Sequence, residues 1–134
     1  MLIEFLNILD PTKYEILLLI EENKGKNNDY IDEIPKWVDY KFLTSEKLME
    51  DISLLKNKKN IFTKLYYSIL LKKKKNVAIK EFEKNLNFGD IIIDYDMGLL
   101  RNLHKLPLKS KTLIGWSHAG EGTLPKNKQK RKNI

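Results

Sequence analysis

The chain has 134 residues, enough for one domain with appendages, and 42% of them are hydrophobic, which supports a modest core. It carries 25 lysines and arginines against 18 acids, a net charge of +7 with a pI near 9.4. Without cysteine a disulfide framework and a thiolate metal site are excluded, and no apolar run approaches the roughly 18 residues of a membrane span.

The charge is unevenly placed. Residues 1–33 hold three lysines against eight carboxylates, a net −5, so residues 34–134 carry +12. That asymmetry points to a polyanion as partner of the second part. The acidic N-terminus, with no basic start before an apolar block, is unlike an import presequence. Only Arg101 and Arg131 are arginines; the other 23 basic residues are lysines. Together with abundant Asn and Ile this is the usage of an AT-rich genome, such as that of an organelle, a parasite or a virus. Arginine grips phosphate with a planar fork whereas lysine acts as a point charge, so the lysines reflect nucleotide bias.

Residues 1–9 are apolar on most sides and are expected to pack. Asp10-Pro11 predicts a helix start, with Asp as N-cap and Pro at the first helical position. The helix is expected to reach about Glu22, with Tyr14, Leu17, Leu18 and Glu21 on successive turns, before Gly25, Asn27 and Asn28 end it. Its apolar stripe and the net negative charge assign residues 1–34 to contact with a protein. Pro35-Lys36-Trp37 opens the basic part. A second helix is predicted after Thr44 or Ser45, with Leu48, Met49, Ile52 and Leu55 at helical intervals and an incomplete capping box. Lys56 to Asn60 reads as a turn and a positive patch.

The period then changes. Ile61-Phe62 and Leu65 to Leu71 are rich in aromatic and branched residues and read as strand. Lys72 to Asn76 reads as a turn, and Val77, Ile79 and Phe82 as the returning strand. The expected product is a hairpin tipped by Lys72, Lys73, Lys74 and Lys75. Four like charges on one turn repel one another, but against phosphate they attract by counterion release. A turn at Asn87 to Asp90, a strand at Ile91 to Ile93 and a short helix at Met97 to Leu103, capped by Asp96, complete the folded part.

His104 to Gly120 has a different rhythm. Lys105, Lys109 and Lys111 recur among Leu106, Pro107, Leu108, Ser110 and Thr112. Pro107 interrupts any incoming helix, and Gly115, Gly120 and Gly122 discourage a new one. Lys126, Lys128, Lys130, Arg131 and Lys132 follow. The stretch from Pro107 onward lacks an apolar cluster large enough to offset its backbone entropy, so it is expected to order only on RNA.

The residue types argue against chemistry. His104 and His118, fourteen residues apart and without cysteine, do not make a zinc site. Asp90, Asp94 and Asp96 are not followed by an EF-hand loop. Gly120 to Thr123 is too short to cradle phosphate, and no Ser–His–Asp arrangement follows from the spacings. Neither an enzyme nor a metal or cofactor is expected.

His104 to Gly120 resembles the C-terminal signature of small-subunit ribosomal protein nineteen, of the bacterial and organellar type. That family typically reads H-K-L-G-E-F-A-P-T-R-T-F-R-G-H-A-G before a basic tail. His104-Lys105-Leu106, Thr112 and His118-Ala119-Gly120 match it without a gap, seven of seventeen positions. The middle departs: Pro107-Leu108-Lys109 replaces Gly-Glu-Phe, Leu113 replaces an arginine, and Trp116 falls one place from the family's aromatic. A second block, Ile61-Phe62, Tyr67 to Leu71, Lys73 to Asn76 and Val77 to Ile79, is similar to the family's I-F-P, strand, turn and strand. Pro35-Lys36-Trp37 and Lys41-Phe42 are similar to its W-K-G-P-F start.

The resemblance implies an α+β fold: one helix packed on a small antiparallel sheet with a hairpin. To this the chain adds an N-terminal helical extension and an extended basic C-terminal tail. The boundaries would be 1–34 for the extension, 35–106 for the rRNA-binding core with an insertion at about 83–96, and 107–134 for the tail. It further implies a place in the head of the small ribosomal subunit, bound to small-subunit rRNA beside protein thirteen, and lysine bias suggests a mitochondrial ribosome. The candidate RNA-binding residues are then Lys36 and Lys41; Lys72, Lys73, Lys74 and Lys75; His104, Lys105, Lys109, Lys111 and Thr112; Trp116 and His118, which can stack on an exposed base; and Lys126, Lys128, Lys130, Arg131 and Lys132. Leu106 to Lys109 with Lys111-Thr112 also resembles a stretch of protein thirteen, but the expected hairpin does not fit that helical protein. A reading from another class is a viral or plasmid DNA-binding regulator, with residues 10–22 and 44–55 as helices of a winged fold and Lys72 to Asn76 as the wing.

Overall fold

The computed structural model describes residues 2–95 and 111–116. The chain divides into two compact units, Met1–Gly89 and Asp90–Ile134. In the first, helix α1 (Leu2–Ile8) is followed by strand β1 (Leu17–Ile20), strand β2 (Asp39–Phe42), helix α2 (Glu46–Leu55) and helix α3 (Ile61–Lys84). In the second, strand β3 (Ile91–Asp94) pairs with strand β4 (Thr112–Gly115). The α+β class is therefore seen, but both strand pairs are parallel, not antiparallel.

The expected helix over 10–22 does not form. Asp10 does cap, but only a turn: its Oδ1 accepts from the Thr12 N–H (2.9 Å) and the Thr12 hydroxyl (2.7 Å). Such local side-chain bonds offer the backbone an alternative to helix. Ile16 to Ile20 is a continuous apolar run, which periodicity alone cannot assign to helix or strand. It becomes β1, in register Leu17↔Asp39 to Ile20↔Phe42 with β2. Residues 21–38, with short 3-10 turns at Gly25–Asn27 and Ile31–Glu33, make the crossover that a parallel pair requires. Leu6 of α1 is buried with Ile34 and Val38, and Leu18, Ile20 and Trp37 pack against them. At the end of the strands the buried Thr44 hydroxyl donates to the Glu21 carbonyl (2.6 Å).

Helix α2 begins where its sequence places it. The Ser45 hydroxyl accepts from the Leu48 N–H (3.3 Å), and Leu48 and Ile52 turn inward. They meet Leu70 of α3, with Met49, Leu55 and Tyr67 around them.

The expected lysine-tipped hairpin is instead the middle of α3. Asn60 caps the helix, its Oδ1 accepting from the Phe62 N–H (3.0 Å). Leu70, Ala78 and Phe82 are buried at intervals of whole helical turns. The branched and aromatic residues at 61–71 favour strand only weakly, and tertiary packing overrides such preferences. Lysine is a good helix former, and Asn76 is the single turn-favouring residue among residues 72–76. The second block of the ribosomal resemblance is thus helix throughout, and so is the proposed wing at 72–76. Asn85 closes α3 by donating its amide to the Glu81 carbonyl (2.8 Å).

In the second unit the expected strand at Ile91 to Ile93 is present and runs to Asp94. Its partner is a piece of the segment expected to order only on RNA: Thr112 to Gly115 finds a protein edge, Ile91↔Thr112 through Asp94↔Gly115. The pairing is by backbone hydrogen bonds, and Ile91, Ile93, Leu113 and Ile114 stay exposed on it. The Thr112 N–H donates to the Asp90 carbonyl (3.0 Å) and the Trp116 N–H to the Asp94 carbonyl (2.9 Å). The rings of Tyr95 and Trp116 lie 5.5 Å apart. The helix expected over 97–103 and the tail beyond 116 lie outside the described residues.

Two substitutions check this architecture by the urea midpoint. Asn76→Pro removes a bond in the interior of α3 and lowers stability by about 3 kcal/mol or more; an unchanged midpoint means that the chain turns at 72–76. Ile52→Ala costs about 2–5 kcal/mol, whereas Leu54→Ala, at a side chain 70% exposed, stays within about 0.5 kcal/mol.

Candidate nucleic-acid interface

Successive residues of a helix are turned by about 100°. Four consecutive lysines therefore fan around α3 and do not share one tip. Leu70, Ala78 and Phe82 define the inward side, and Lys74 stands on it with them. Its side chain is only 16% exposed, and its ammonium lies 2.5 Å from Glu22 Oε1 and 3.4 Å from Glu21 Oε1. Lys24 approaches the other Glu22 oxygen at 3.6 Å. Lys74 is a structural tie between α3 and the segment after β1, not a free phosphate ligand. Lys72, Lys73 and Lys75 are exposed.

The other expected ligands divide. Lys36 is exposed ahead of β2. Lys41 is exposed on β2, its ammonium donating to Asn85 Oδ1 (3.1 Å) beyond the end of α3. In the second unit Thr112 is exposed at the start of β4, while Lys111 and Trp116 beside it are half-buried. His104, Lys105, Lys109, His118, Lys126, Lys128, Lys130, Arg131 and Lys132 lie outside the described residues.

Helix α3 and the turn before it present further cations. From Ile52 to Lys80 the chain has nine lysines and no acid. Besides the tetrad these are Lys56, Lys58, Lys59, Lys64 and Lys80, all exposed. Scanning for acid-free stretches, in place of lysine runs, finds them in the sequence. Lys58 and Lys59 lie between the C-terminus of α2, whose dipole they favour, and the N-terminus of α3, whose dipole they oppose, so the two effects offset one another.

An open depression of about 610 Å³ between β2, α2 and α3 is bordered by Lys47 and Lys73 and by Asp51 and Glu81. Both signs line it in equal number, and Ser45, also in its lining, is engaged as the α2 cap. Among the described residues, no group of three or more His, Asp or Glu is placed to hold a metal ion, and no helix is long and apolar enough to cross a membrane.

Lys74 and Glu22 shift each other's titration. The hydrogen bond from Lys74 holds Glu22 below the usual glutamate range, against the opposing effect of burial. Burial pulls Lys74 down, but the bond to Glu22 and the charge of Glu21 outweigh it, and its value rises. The Glu22 contribution to stability is thus present above about pH 4.3, its ordinary value, and is lost as pH falls through the lowered folded value. The Lys74 contribution is present below about pH 10.4 and is lost as pH rises through the raised folded value.

Lys74→Ala should lower stability at neutral pH by about 1–2 kcal/mol, an amount discounted for the partial exposure of both glutamates. Lys72→Ala, Lys73→Ala and Lys75→Ala should each stay within about 0.5 kcal/mol. Urea unfolding repeated at about pH 2.5 should narrow the gap between Lys74→Ala and the native chain, because the carboxylates are then protonated. Four lysines of equal effect would remove the tie.

Compared with known proteins, the chain matches no family model, no curated protein and no solved structure.

Proposed function

We propose that this protein is a structural constituent of the small subunit of a mitochondrial ribosome, binding small-subunit rRNA in the head. The observation that carries RNA binding is the acid-free stretch from Ile52 to Lys80. Eight of its nine lysines are exposed and enter none of the described ion pairs. Exposed lysines without a carboxylate partner gain by releasing counterions from phosphate. The ribosomal assignment rests on the resemblance of His104 to Gly120 and of Pro35 to Phe42, and no longer on residues 61–79. The −5 charge of residues 1–33 opposes phosphate and suits a protein neighbour, protein thirteen among the candidates. The protein acts by neutralising and positioning rRNA, without a catalytic step.

Sedimentation tests the ribosomal part. The protein should travel with the small subunit through a sucrose gradient and stay with it when the subunits are separated at low magnesium; recovery in the top fractions overturns the assignment. Binding to an RNA helix tests the interface. Changing Lys72, Lys73 and Lys75 together to Ala should weaken affinity and flatten its dependence on salt, by up to about 0.7–0.9 in slope for each phosphate no longer neutralised. An unchanged slope removes α3 from the interface.

A further inference from the structure

The outward face of α3 changes character along its length. Phe62 is 80% exposed, Tyr66 54% and Ile69 52%. The same face continues through Lys73, which also borders the depression beside α2, to Lys80, both exposed. Phe62 and Tyr66 are one helical turn apart, close enough for their rings to be neighbours on the surface. Lys73 follows about 16 Å beyond Phe62 at the rise of an α-helix. One strip of surface thus offers aromatic rings and then ammonium groups.

We infer that this strip is a platform for single-stranded RNA, with unpaired bases stacked on Phe62 and Tyr66 and the sugar-phosphate chain crossing Lys73 and Lys80; the inference rests on the RNA-binding reading above. An unpaired strand carries apolar base faces and negative charge in one molecule, which is what the strip complements. Double-stranded RNA hides its base faces and presents only phosphate, ribose and groove edges, so it has no use for exposed rings. A second copy of the chain would bring the acid-free lysine stretch against itself, and like charges disfavour that pairing. A helix lying on a lipid surface needs apolar and basic residues on opposite faces, whereas here they follow one another on the same face.

Fluorescence anisotropy with a labelled oligouridylate and with a labelled RNA duplex, at one salt concentration, tests this. Phe62→Leu with Tyr66→Leu keeps apolar bulk and removes the rings. Affinity for the single strand should fall by about 5- to 150-fold per base unstacked, affinity for the duplex should change less than about twofold, and the salt slope should stay the same. Phe62→Trp should retain single-strand binding. Equal losses on both RNAs, or no loss on either, overturn the platform, as does a dimer that dissociates on Phe62→Leu. These outcomes leave the general reading intact if the Lys72, Lys73 and Lys75 variant still flattens the salt slope. If that variant too is without effect, the RNA-binding reading falls with the platform.

Discussion

The ammonium of Lys74 lies between the carboxylates of Glu21 and Glu22, on the side of α3 that also buries Leu70, Ala78 and Phe82. An apolar stripe alone tolerates some rotation of a helix on its support. A cation within the stripe does not, because a half-buried ammonium turned away from its carboxylates loses both bonds and gains no full hydration. The setting of α3 about its own axis depends on this pairing together with the packing of Leu70 on α2. Everything proposed for the outer face follows from that setting. With 70, 74, 78 and 82 inward, residues 62, 66, 69 and 80 face out, and Lys73 stands at the border of the depression beside α2.

The pairing also explains why an acidic segment is attached to a basic chain. Glu21 and Glu22 follow β1, and β1 is held by its parallel register with β2 and by the Thr44 hydroxyl on the Glu21 carbonyl. The −5 of the first 33 residues therefore acts partly within the fold, steadying one lysine of a tetrad. Lys64, Lys72, Lys73, Lys75 and Lys80 of α3 have no such partner among the described residues. Lys72 and Lys75, three residues apart on the helix, repel one another weakly. A polyanion bound along that face would relieve the repulsion by releasing counterions.

The aromatic half of α3 shows the same division between fold and function. Tyr67 and Leu70 face α2. Tyr66, next to Tyr67 in the chain, and Phe62, one turn before it, face solvent. A helix of this length needs only part of its surface to anchor it, and the rest stays exposed. Scattered exposed hydrophobics are ordinary; here several fall on successive turns of one helix and are bordered by lysines, which is the basis of the platform proposed above.

Local chemistry alone determined several features. The excess and gradient of charge are properties of composition. Helix α2 follows from Ser45 and from Leu48, Ile52 and Leu55 at helical spacing, and the strand at Ile91 from three branched residues beside a turn. Asp10 was legible as a capping residue, though not what it would cap. Tertiary structure decided the rest. Ile16 to Ile20 is apolar throughout, and only the β2 edge, brought alongside by the crossover, makes it a strand. Ile61 to Phe82 suits strand and helix about equally by residue type, and its choice of helix came from the face that Leu48 and Ile52 offer to Leu70. Thr112 to Gly115 acquired a strand partner through pairing with Ile91 to Asp94, a long-range pairing that no local signal announces. Lys74 was one of four identical neighbours; its separate role exists only because helical periodicity turns it, and not Lys73 or Lys75, toward Glu21 and Glu22.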